Sequence, residues 1–387
     1  MIAAGLFVAS SLISTGSGGA TPVAAVERLF DALEQEDVIG VLESLLPAER
    51  RMIQGRIQEL TKELSRLGIF GERADLANVN GLELEFFGVR LAQEELSPGI
   101  SAVVIREGRV RSRFDPSGGL LGDFVTGLLD EDASVAATGS ADLAKNKVVV
   151  ATVRDGDQWY VSIGYTVAEN VRRAAGRVAP TFGQGVAIGA ATPEKAVDDL
   201  IRAAAGLDVS RLIQLMPPGE ARALHDYVQL FVSQVGSAAH EARGFFSAKI
   251  TKLDLSSETD GETSIVKVDK LGFVYEIPDI GITIEYDGEC TVLRFEGEPP
   301  ERDCGTGIGP TLPFFLPLDE LPDPDLGFVV VREGDEWFVS PTRTLLDGAL
   351  SLLKALNPGD LDSIREFFEF GSQIEPPALE PRATPTA

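Results

Sequence analysis

The sequence predicts an α+β protein that contains two tandem copies of one unit, in which N-terminal helices precede an antiparallel sheet. Three observations support this prediction. A segment with a Trp-aromatic pair occurs twice, as Val153–Ser162 and Val331–Ser340. A Thr-Pro helix start also occurs twice, at Thr21 and Thr192. In both copies apolar residues at helical spacing come first, and alternating apolar and polar residues, which favour strands, follow.

The repeated segment reads as a tight turn followed by a strand. Asp155-Gly156 and Glu333-Gly334 favour such a turn, because glycine adopts positive φ without steric cost. Trp159 and Trp337 are the only two tryptophans of the chain, and they occupy matching places in the two copies. An aromatic pair in an alternating strand packs in the core more often than it stacks on a ligand. We therefore expect both tryptophans in the core.

The offset that aligns Thr21 with Thr192 also aligns further residues without a gap. At the Trp strands the offset is only slightly larger, so little net insertion separates the landmarks. Repeats this long indicate duplicated domains, because solenoid repeats have periods of roughly 20–50 residues. The aligned pairs are Ala25 with Ala196, Val26 with Val197, Asp37 with Asp208, Pro47 with Pro218 and Glu49 with Glu220.

The domain organisation follows from this duplication. Residues 1–20 resemble a signal peptide or a truncated membrane anchor, because Ile2 to Ile13 is apolar and small residues follow. We place the first repeat at 21–178 and a Gly/Ala-rich linker at 179–191. The second repeat spans 192–370, and 371–387 is a Pro-rich tail that we expect to be disordered.

Helices are predicted at the start of each repeat. Thr21-Pro22 combines a favoured N-cap with a favoured first helical residue, and apolar residues from Val23 to Leu33 follow at helical spacing. A short helix from Val38 and a longer one from Ala48 to Leu67 come next. In the second repeat the corresponding predictions are helices at 193–205, 209–216 and 219–243.

Strands are predicted after the helices. In the first repeat they are 82–86, 102–105 and 110–114, with a hairpin turn at Glu107-Gly108 between the last two. In the second repeat Asp287-Gly288 predicts another hairpin turn. The strands there are 248–255, 264–268, 273–277, 282–286 and 290–295.

Composition excludes some partners. The net charge is −26, from 60 acidic and 34 basic residues. Such a surface repels phosphate backbones and anionic lipid headgroups, so we expect no nucleic-acid partner, and membrane attachment only through an N-terminal anchor. His225 and His240 are too far apart in sequence to form the i, i+4 pair of a helical metal site. We expect both at the surface, no metal and no cofactor.

The chain has two cysteines, Cys290 and Cys304. They can form a disulfide, which would stabilise the fold by roughly 3 kcal/mol for a loop of ~15 residues. Such a bond implies an oxidising, extracytoplasmic compartment. Two free buried thiols are the alternative.

The Thr-Pro-x-x-Ala-Val opening, the Asp-Val helix and the Asp-Gly-x-x-Trp-Tyr-Val ending resemble extracytoplasmic bacterial domains of unknown function in the NTF2-like (cystatin-like) superfamily. The resemblance covers roughly 21–175 and 192–356. It implies two tandem cone domains, each with a pocket enclosed by helices and a curved sheet. Some members of that superfamily are isomerases or dehydratases, and many only bind a ligand.

A pocket of this kind would draw on carboxylates and hydroxyls in the strands. The candidate pocket residues are Glu83, Glu85, Tyr275, Glu285 and Tyr286. The alternation of Glu83 and Glu85 with apolar residues also describes a solvent face, which we favour. We therefore expect a non-catalytic binding protein of the bacterial cell envelope, with a protein partner or a small apolar ligand. An isomerase, dehydratase or hydrolase with a carboxylate in an apolar cone is the alternative, and no catalytic residue can be assigned.

Overall fold

The computed structural model describes residues 18–71, 81–127, 137–145, 148–233, 236, 247–277, 280–304 and 326–361. The apolar N-terminal segment 2–13, His240 and the tail 371–387 lie outside these ranges. The described chain is α+β with two antiparallel sheets, which confirms the predicted fold class at that level.

The first half has helices before and after its sheet. The helices are α1 (Pro22–Glu34), α2 (Val38–Ser44), α3 (Pro47–Arg66), α4 (Asp123–Thr126) and α5 (Ile163–Ala174). The strands are β1 (Leu82–Ser97), β2 (Ile100–Phe114), β3 (Ala137–Asp142), β4 (Val149–Asp155) and β5 (Gln158–Val161). Thr21 is the predicted N-cap of α1, since its Oγ1 accepts the N–H of Ala24 at 3.1 Å.

Strand β2 is the centre of the first sheet. It pairs with β1 along one edge, and with β4 and then β3 along the other. The predicted hairpin at Glu107-Gly108 is wrong, because β2 continues through both residues. Gly108 instead lies at a register shift, with φ +142°, where an added Cβ would come within 3.1 Å of the Cα of Val89. A glycine inside a strand can mark such a bulge rather than a turn.

The second half follows the same order. Its helices are α6 (Pro193–Ala205), α7 (Val209–Gln214), α8 (Pro218–Asp226) and the closing α9 (Pro341–Ala355). Its strands are β6 (Ser247–Asp260), β7 (Thr263–Ile277), β8 (Ile280–Tyr286), β9 (Thr291–Phe295), β10 (Glu301–Asp303), β11 (Phe328–Glu333) and β12 (Glu336–Val339).

Two predictions for the second half need correction. The helix predicted over 219–243 ends at Asp226, because Tyr227 leaves helical geometry with φ −98° and ψ 12°; residues 228–233 then form a separate helical segment. The strands predicted at 264–268 and 273–277 are one strand, β7, which remains paired with β6 through two register shifts. The hairpin turn at Asp287-Gly288 is confirmed between β8 and β9.

The Trp strands occupy equivalent places in the two halves. Trp159 exchanges two backbone hydrogen bonds of 2.8 Å with Gly19, and Trp337 exchanges bonds of 2.8 and 2.9 Å with Ala190. The offset that aligns the two Thr-Pro helix starts also aligns Gly19 with Ala190. In both halves, therefore, the strand is joined to the residues just before the first helix.

The tryptophans themselves are only half-buried, contrary to the prediction that both lie in the core. Trp337 packs against a buried cluster that includes Val197, Val266 and Val330. The buried aromatic is the next residue in each strand, Tyr160 or Phe338. Adjacent side chains in a strand point to opposite faces, so the two aromatics of each pair serve different sides of the sheet.

The last helix of each half, α5 or α9, is called its closing helix here. It is hydrogen-bonded to the third helix of the same half, α3 or α8. Ser162 is the N-cap of α5, and its Oγ donates to Glu49 at 2.6 Å. Ser340 is the N-cap of α9, and its Oγ donates to Glu220 at 2.5 Å. Glu49, Ser162 and Ser340 are buried, and Glu220 is half-buried. The same carboxylate–serine hydrogen bond thus joins the third helix to the closing helix in both halves.

The two halves also pack against each other through these helices. Helix α3 packs on α9, and α8 packs on α5, so the third helix of each half contacts the closing helix of the other. One apolar cluster joins Ile100 and Val153 of the first sheet to Ala223, Tyr227 and other residues of the second half. Another joins Leu67 to Leu356. The two halves therefore share core as well as surface.

Candidate functional site

Two of the predicted pocket residues lie on the solvent side of the first sheet. Glu83 is 57% exposed and lies 3.8 Å from Arg113. Glu85 is 56% exposed and lies 3.1 Å from Arg111. Both pairs join β1 to β2 across the strand register. Exposed pairs of this kind contribute about 0–1 kcal/mol, so these carboxylates are typical of a solvated face.

The other three candidates lie in the second sheet. Tyr275 is half-buried and stacks on Phe273, with ring centroids 5.7 Å apart. The hydroxyl of Tyr286 donates to the carbonyl oxygen of Gly288 at 3.0 Å. Glu285, on the opposite face of β8 from Tyr286, is 50% exposed and pairs with Arg294 at 3.2 Å. The structure thus divides the five candidates between two sheets.

A buried polar cluster that sequence reasoning missed lies where α5 meets the second half. The carboxylate of Glu169 is fully buried and accepts hydrogen bonds from Arg172 and Arg173 at 2.6–2.7 Å. It also accepts a bond of 2.7 Å from the hydroxyl of Tyr227. Burial alone raises the pKa of Glu169, but the bonds from Arg172, Tyr227 and Arg173 outweigh it and hold that pKa below the usual range.

A second acid–tyrosine pair lies beside the first. The hydroxyl of Tyr165 donates to Asp226, whose other oxygen accepts the N–H of Gly183 at 2.7 Å. Burial is the main cause that raises the pKa of Tyr165, and Asp226 raises it further. Phe182 packs against the rings of Tyr165 and Tyr227.

Tyrosines beside carboxylates could in principle hold an oxyanion, but this cluster is closed. Both hydroxyl protons are already donated to carboxylates. Among the described residues, every buried side-chain nitrogen and oxygen has a hydrogen-bond partner. A substrate would have to displace contacts that join the two halves. The cluster is therefore a structural joint between the halves.

His225 is buried, contrary to the prediction of a surface position. Its Nε2 lies 2.8 Å from the carbonyl oxygen of Ile213, so the ring joins α8 to α7. Over the ranges that the structure describes, no group of three or more His, Cys, Asp or Glu residues could hold a metal ion.

An open groove lies between α1 and β1, in the first half. Its volume is about 240 Å³. Phe30 and Phe86 stack in its wall, with ring centroids 4.5 Å apart and planes 8° apart. Val23, Val89 and Leu91 complete its apolar lining. The groove thus offers an aromatic pair and aliphatic side chains at the surface.

Three carboxylates line the same groove, from Glu27, Asp31 and Glu34 of α1. Their i, i+3 and i, i+4 spacing places them on one helix face. Glu34 accepts the backbone N–H of Phe86 at 2.6 Å. In the described parts of the chain, no lysine or arginine forms an ion pair with Glu27 or Asp31.

The second half neutralises the equivalent helix face. The repeat alignment places Asp198 and Arg202 at the positions of Glu27 and Asp31, and these two residues form an ion pair of 2.7 Å. Lys195 also pairs with Asp198, at 2.9 Å. Among the described residues, this face of the first helix therefore leaves carboxylates without a cation in the first half, whereas the second half pairs its equivalent carboxylate. In sequence they look like the polar side of an amphipathic helix, and only the approach of β1 turns that side into a groove.

Comparison of this chain with protein-family models, with curated proteins and with solved structures finds no match. None of the helices in the described ranges is long and apolar enough to cross a membrane. The disulfide between Cys290 and Cys304, one of the two sequence alternatives, is present.

Proposed function

We propose that this chain is a non-catalytic binding protein of the bacterial cell envelope, built from two NTF2-like (cystatin-like) α+β repeats. Its binding site is the groove between α1 and β1. The observation that carries the proposal is the combination of the Phe30–Phe86 stack with carboxylates that lack a cationic partner among the described residues. Such a surface complements a cation with apolar neighbours.

The size of the groove favours a protein partner over a small apolar ligand. Pockets for drug-sized molecules measure about 300–1,000 Å³ and enclose most of the ligand. This groove is smaller, at about 240 Å³, and one side of it is open. A single lysine or arginine side chain with an adjacent apolar residue would fill it. The proposed occupant is therefore a segment of a partner protein that presents such a pair.

Charge supports the same occupant. The chain carries a net charge of −26, which attracts a basic partner over a distance and repels acidic ones. A cation in the groove would lie near Glu27 and Asp31 and could contact the face of an aromatic ring, a contact worth about 0.5–2 kcal/mol. The proposal requires binding that weakens with salt, because exposed charges are screened beyond about 8 Å at physiological ionic strength.

An enzymatic function has less support. It requires a buried carboxylate that faces an open apolar pocket. Glu83, Glu85 and Glu285 are each at least half exposed. The buried acids Glu169 and Asp226 accept hydrogen bonds from tyrosine hydroxyls, and the buried Glu49 accepts them from Ser162 Oγ and two backbone N–H groups.

The extracytoplasmic location is supported by the disulfide, since such bonds persist in oxidising compartments. Alkylation of protein from its native cells tests this part of the proposal. We expect a fraction of the chains to accept the alkylating reagent at Cys290 and Cys304 only after reduction. Full alkylation without reductant would contradict an extracytoplasmic location.

Selection from a library of random short peptides tests the binding site. We expect the wild-type protein to enrich peptides with lysine or arginine beside an aromatic or aliphatic residue. The double variant Glu27→Gln/Asp31→Asn should lose this enrichment. The matched control is Asp198→Asn/Asp199→Asn on the equivalent helix of the second half, which should retain it. Equal enrichment by wild type and the groove variant would overturn the proposal.

A further inference from the structure

The Cys290–Cys304 disulfide closes the end of a short strand pair. Cys290 precedes β9 and Cys304 follows β10. The β9–β10 register ends at Asp303 opposite Thr291, so the cysteines occupy the next facing position. Only three residue pairs join β10 to β9, and all three residues of β10 are exposed. A strand pair this short is marginal without a covalent link.

One arginine touches both sulfur atoms. The Nη2 of Arg302 lies 3.2 Å from Sγ of Cys290, and its Nε lies 3.3 Å from Sγ of Cys304. Asp287, 3.6 Å away, pairs with the same guanidinium. Asp287 also accepts the N–H of Cys290 at 2.8 Å, and this bond is the main cause that lowers the pKa of its carboxyl. The turn therefore holds both Arg302 and Cys290 in place.

The two sulfurs differ in access. Cys304 is an exposed residue, whereas Cys290 is only 4% exposed. A thiolate from solvent therefore approaches Cys304 more readily than Cys290. Attack at Cys304 makes Cys290 the leaving thiolate, and the positive charge of Arg302 lies next to it. A neighbouring guanidinium stabilises a thiolate and lowers its pKa, which makes it a better leaving group.

We propose that Cys290–Cys304 is a reducible disulfide, which we call the clip. It is opened by the dithiol of an extracytoplasmic oxidoreductase, and Arg302 favours the opening because it stabilises the Cys290 thiolate. In the first step a thiolate of the dithiol bonds to Sγ of Cys304, and the electron pair of the broken S–S bond passes to Cys290. In the second step the other thiol of the reductant, as its thiolate, attacks the mixed disulfide and releases the Cys304 thiolate. Two electrons reach the chain, the reductant becomes a disulfide, and the protons of its thiols go to solvent or to the new thiolates.

Opening the clip changes the edge of the second sheet. Without the covalent link, three residue pairs still join β10 to β9 among the described residues, and their β10 members are exposed. Release of β10 leaves the outer edge of β9 with unpaired N–H and C=O groups, which is the surface that added strands recognise. The clip therefore controls whether this sheet edge is covered. It lies in the second half, whereas the proposed groove is lined by residues of the first half.

The equilibrium constant for reduction by dithiothreitol tests the role of Arg302. Protein is equilibrated in redox buffers, acid-quenched, alkylated and weighed by mass spectrometry. We expect Arg302→Gln to lower the equilibrium constant about threefold, which is roughly 15 mV toward a more negative potential. Arg302→Lys, which retains the charge, should show a smaller change. The matched control is Arg294→Gln, an arginine of β9 that pairs with Glu285.

Two results would overturn the inference. One is an equal potential for wild type, Arg302→Gln and Arg294→Gln. The other comes from hydrogen exchange of the intact wild-type chain, which does not depend on a variant folding. We expect reduction to remove protection from the amides within Glu301–Asp303 that point toward β9, while those of β8 retain it. Unchanged protection of Glu301–Asp303 after reduction would show that the disulfide does not control the strand pair.

Discussion

The hydroxyl of Tyr227, in the second half, donates a hydrogen bond of 2.7 Å to Glu169 of the first half. The residues at the equivalent positions make the reciprocal contact. The offset of the helix starts aligns Tyr227 with Arg56, and the offset of the Trp strands aligns Glu169 with Asp347. Arg56 and Asp347 form an ion pair of 2.6 Å. Each half therefore contributes one side chain from its third helix region to the closing helix of the other.

The two reciprocal contacts should differ in strength. Tyr227 is fully buried, whereas the side chain of Arg56 is 41% exposed. Tyr227→Phe removes a hydrogen bond to a charged group, so we expect a loss of about 1.5–3 kcal/mol in the free energy of unfolding, measured by urea titration. The matched variant Arg56→Gln should cost under about 1 kcal/mol. Equal losses would contradict the assignment of the main joint to Tyr227.

The lowered pKa of Glu169 predicts an acid-sensitive joint. A carboxyl whose pKa is lower in the folded state adds stability above its unfolded pKa, about 4.3, and loses that contribution as pH falls through the folded value. Wild type should therefore lose stability below about pH 4.3 more steeply than Glu169→Gln. Urea unfolding across the acid range measures both slopes. Parallel curves would show that Glu169 does not titrate at an altered pKa.

The raised pKa values of Tyr165 and Tyr227 predict a loss of stability at alkaline pH. A tyrosine whose pKa is higher in the folded state adds stability below its unfolded pKa, about 10, and loses it as pH rises toward the folded value. The chain has five tyrosines. In an alkaline absorbance titration we expect these two to ionise only as the fold is lost. Ionisation of all five while circular dichroism stays native would contradict the burial of the cluster.

Glu49 should contribute more than Glu220 to the free energy of unfolding, although each accepts hydrogen bonds at the start of the closing helix of its half. Glu49 accepts Ser162 Oγ and the N–H groups of Ile163 and Gly164 at 2.6–3.1 Å. Glu220 accepts Ser340 Oγ and one N–H, that of Thr342. The residue equivalent to Ile163 is Pro341, which has no N–H to donate.

Thermal unfolding of Glu49→Ala and Glu220→Ala compares the two caps. We expect Glu49→Ala to cost about 2–3 kcal/mol, because it leaves the buried Ser162 hydroxyl and two partly buried N–H groups without their acceptor, and Glu220→Ala to cost less. A larger loss for Glu220→Ala would mean that the count of accepted hydrogen bonds does not set the strength of the contact.

The sequence was sufficient to predict the features that local chemistry determines. The N-caps Thr21 and Thr192 and the order of helices before strands could be read from residue type and spacing. Gly108 could not, because a glycine after an acidic residue favours a turn as well as a bulge, and only the partner strand decides. The groove and the Tyr227–Glu169 joint were also missed. Both depend on residues far apart in the sequence, whose approach leaves no local pattern.

The two halves hold each other through exchanged helix contacts, and each half contains one tryptophan that can report its unfolding. Fluorescence of Trp337→Phe follows Trp159 in the first half, and Trp159→Phe leaves Trp337 to follow the second. With Tyr227→Phe added to each, urea unfolding should show coincident midpoints for the two reporters, both shifted down by the same amount. Separate midpoints, or a shift in only one reporter, would show that the halves are stable independently of each other.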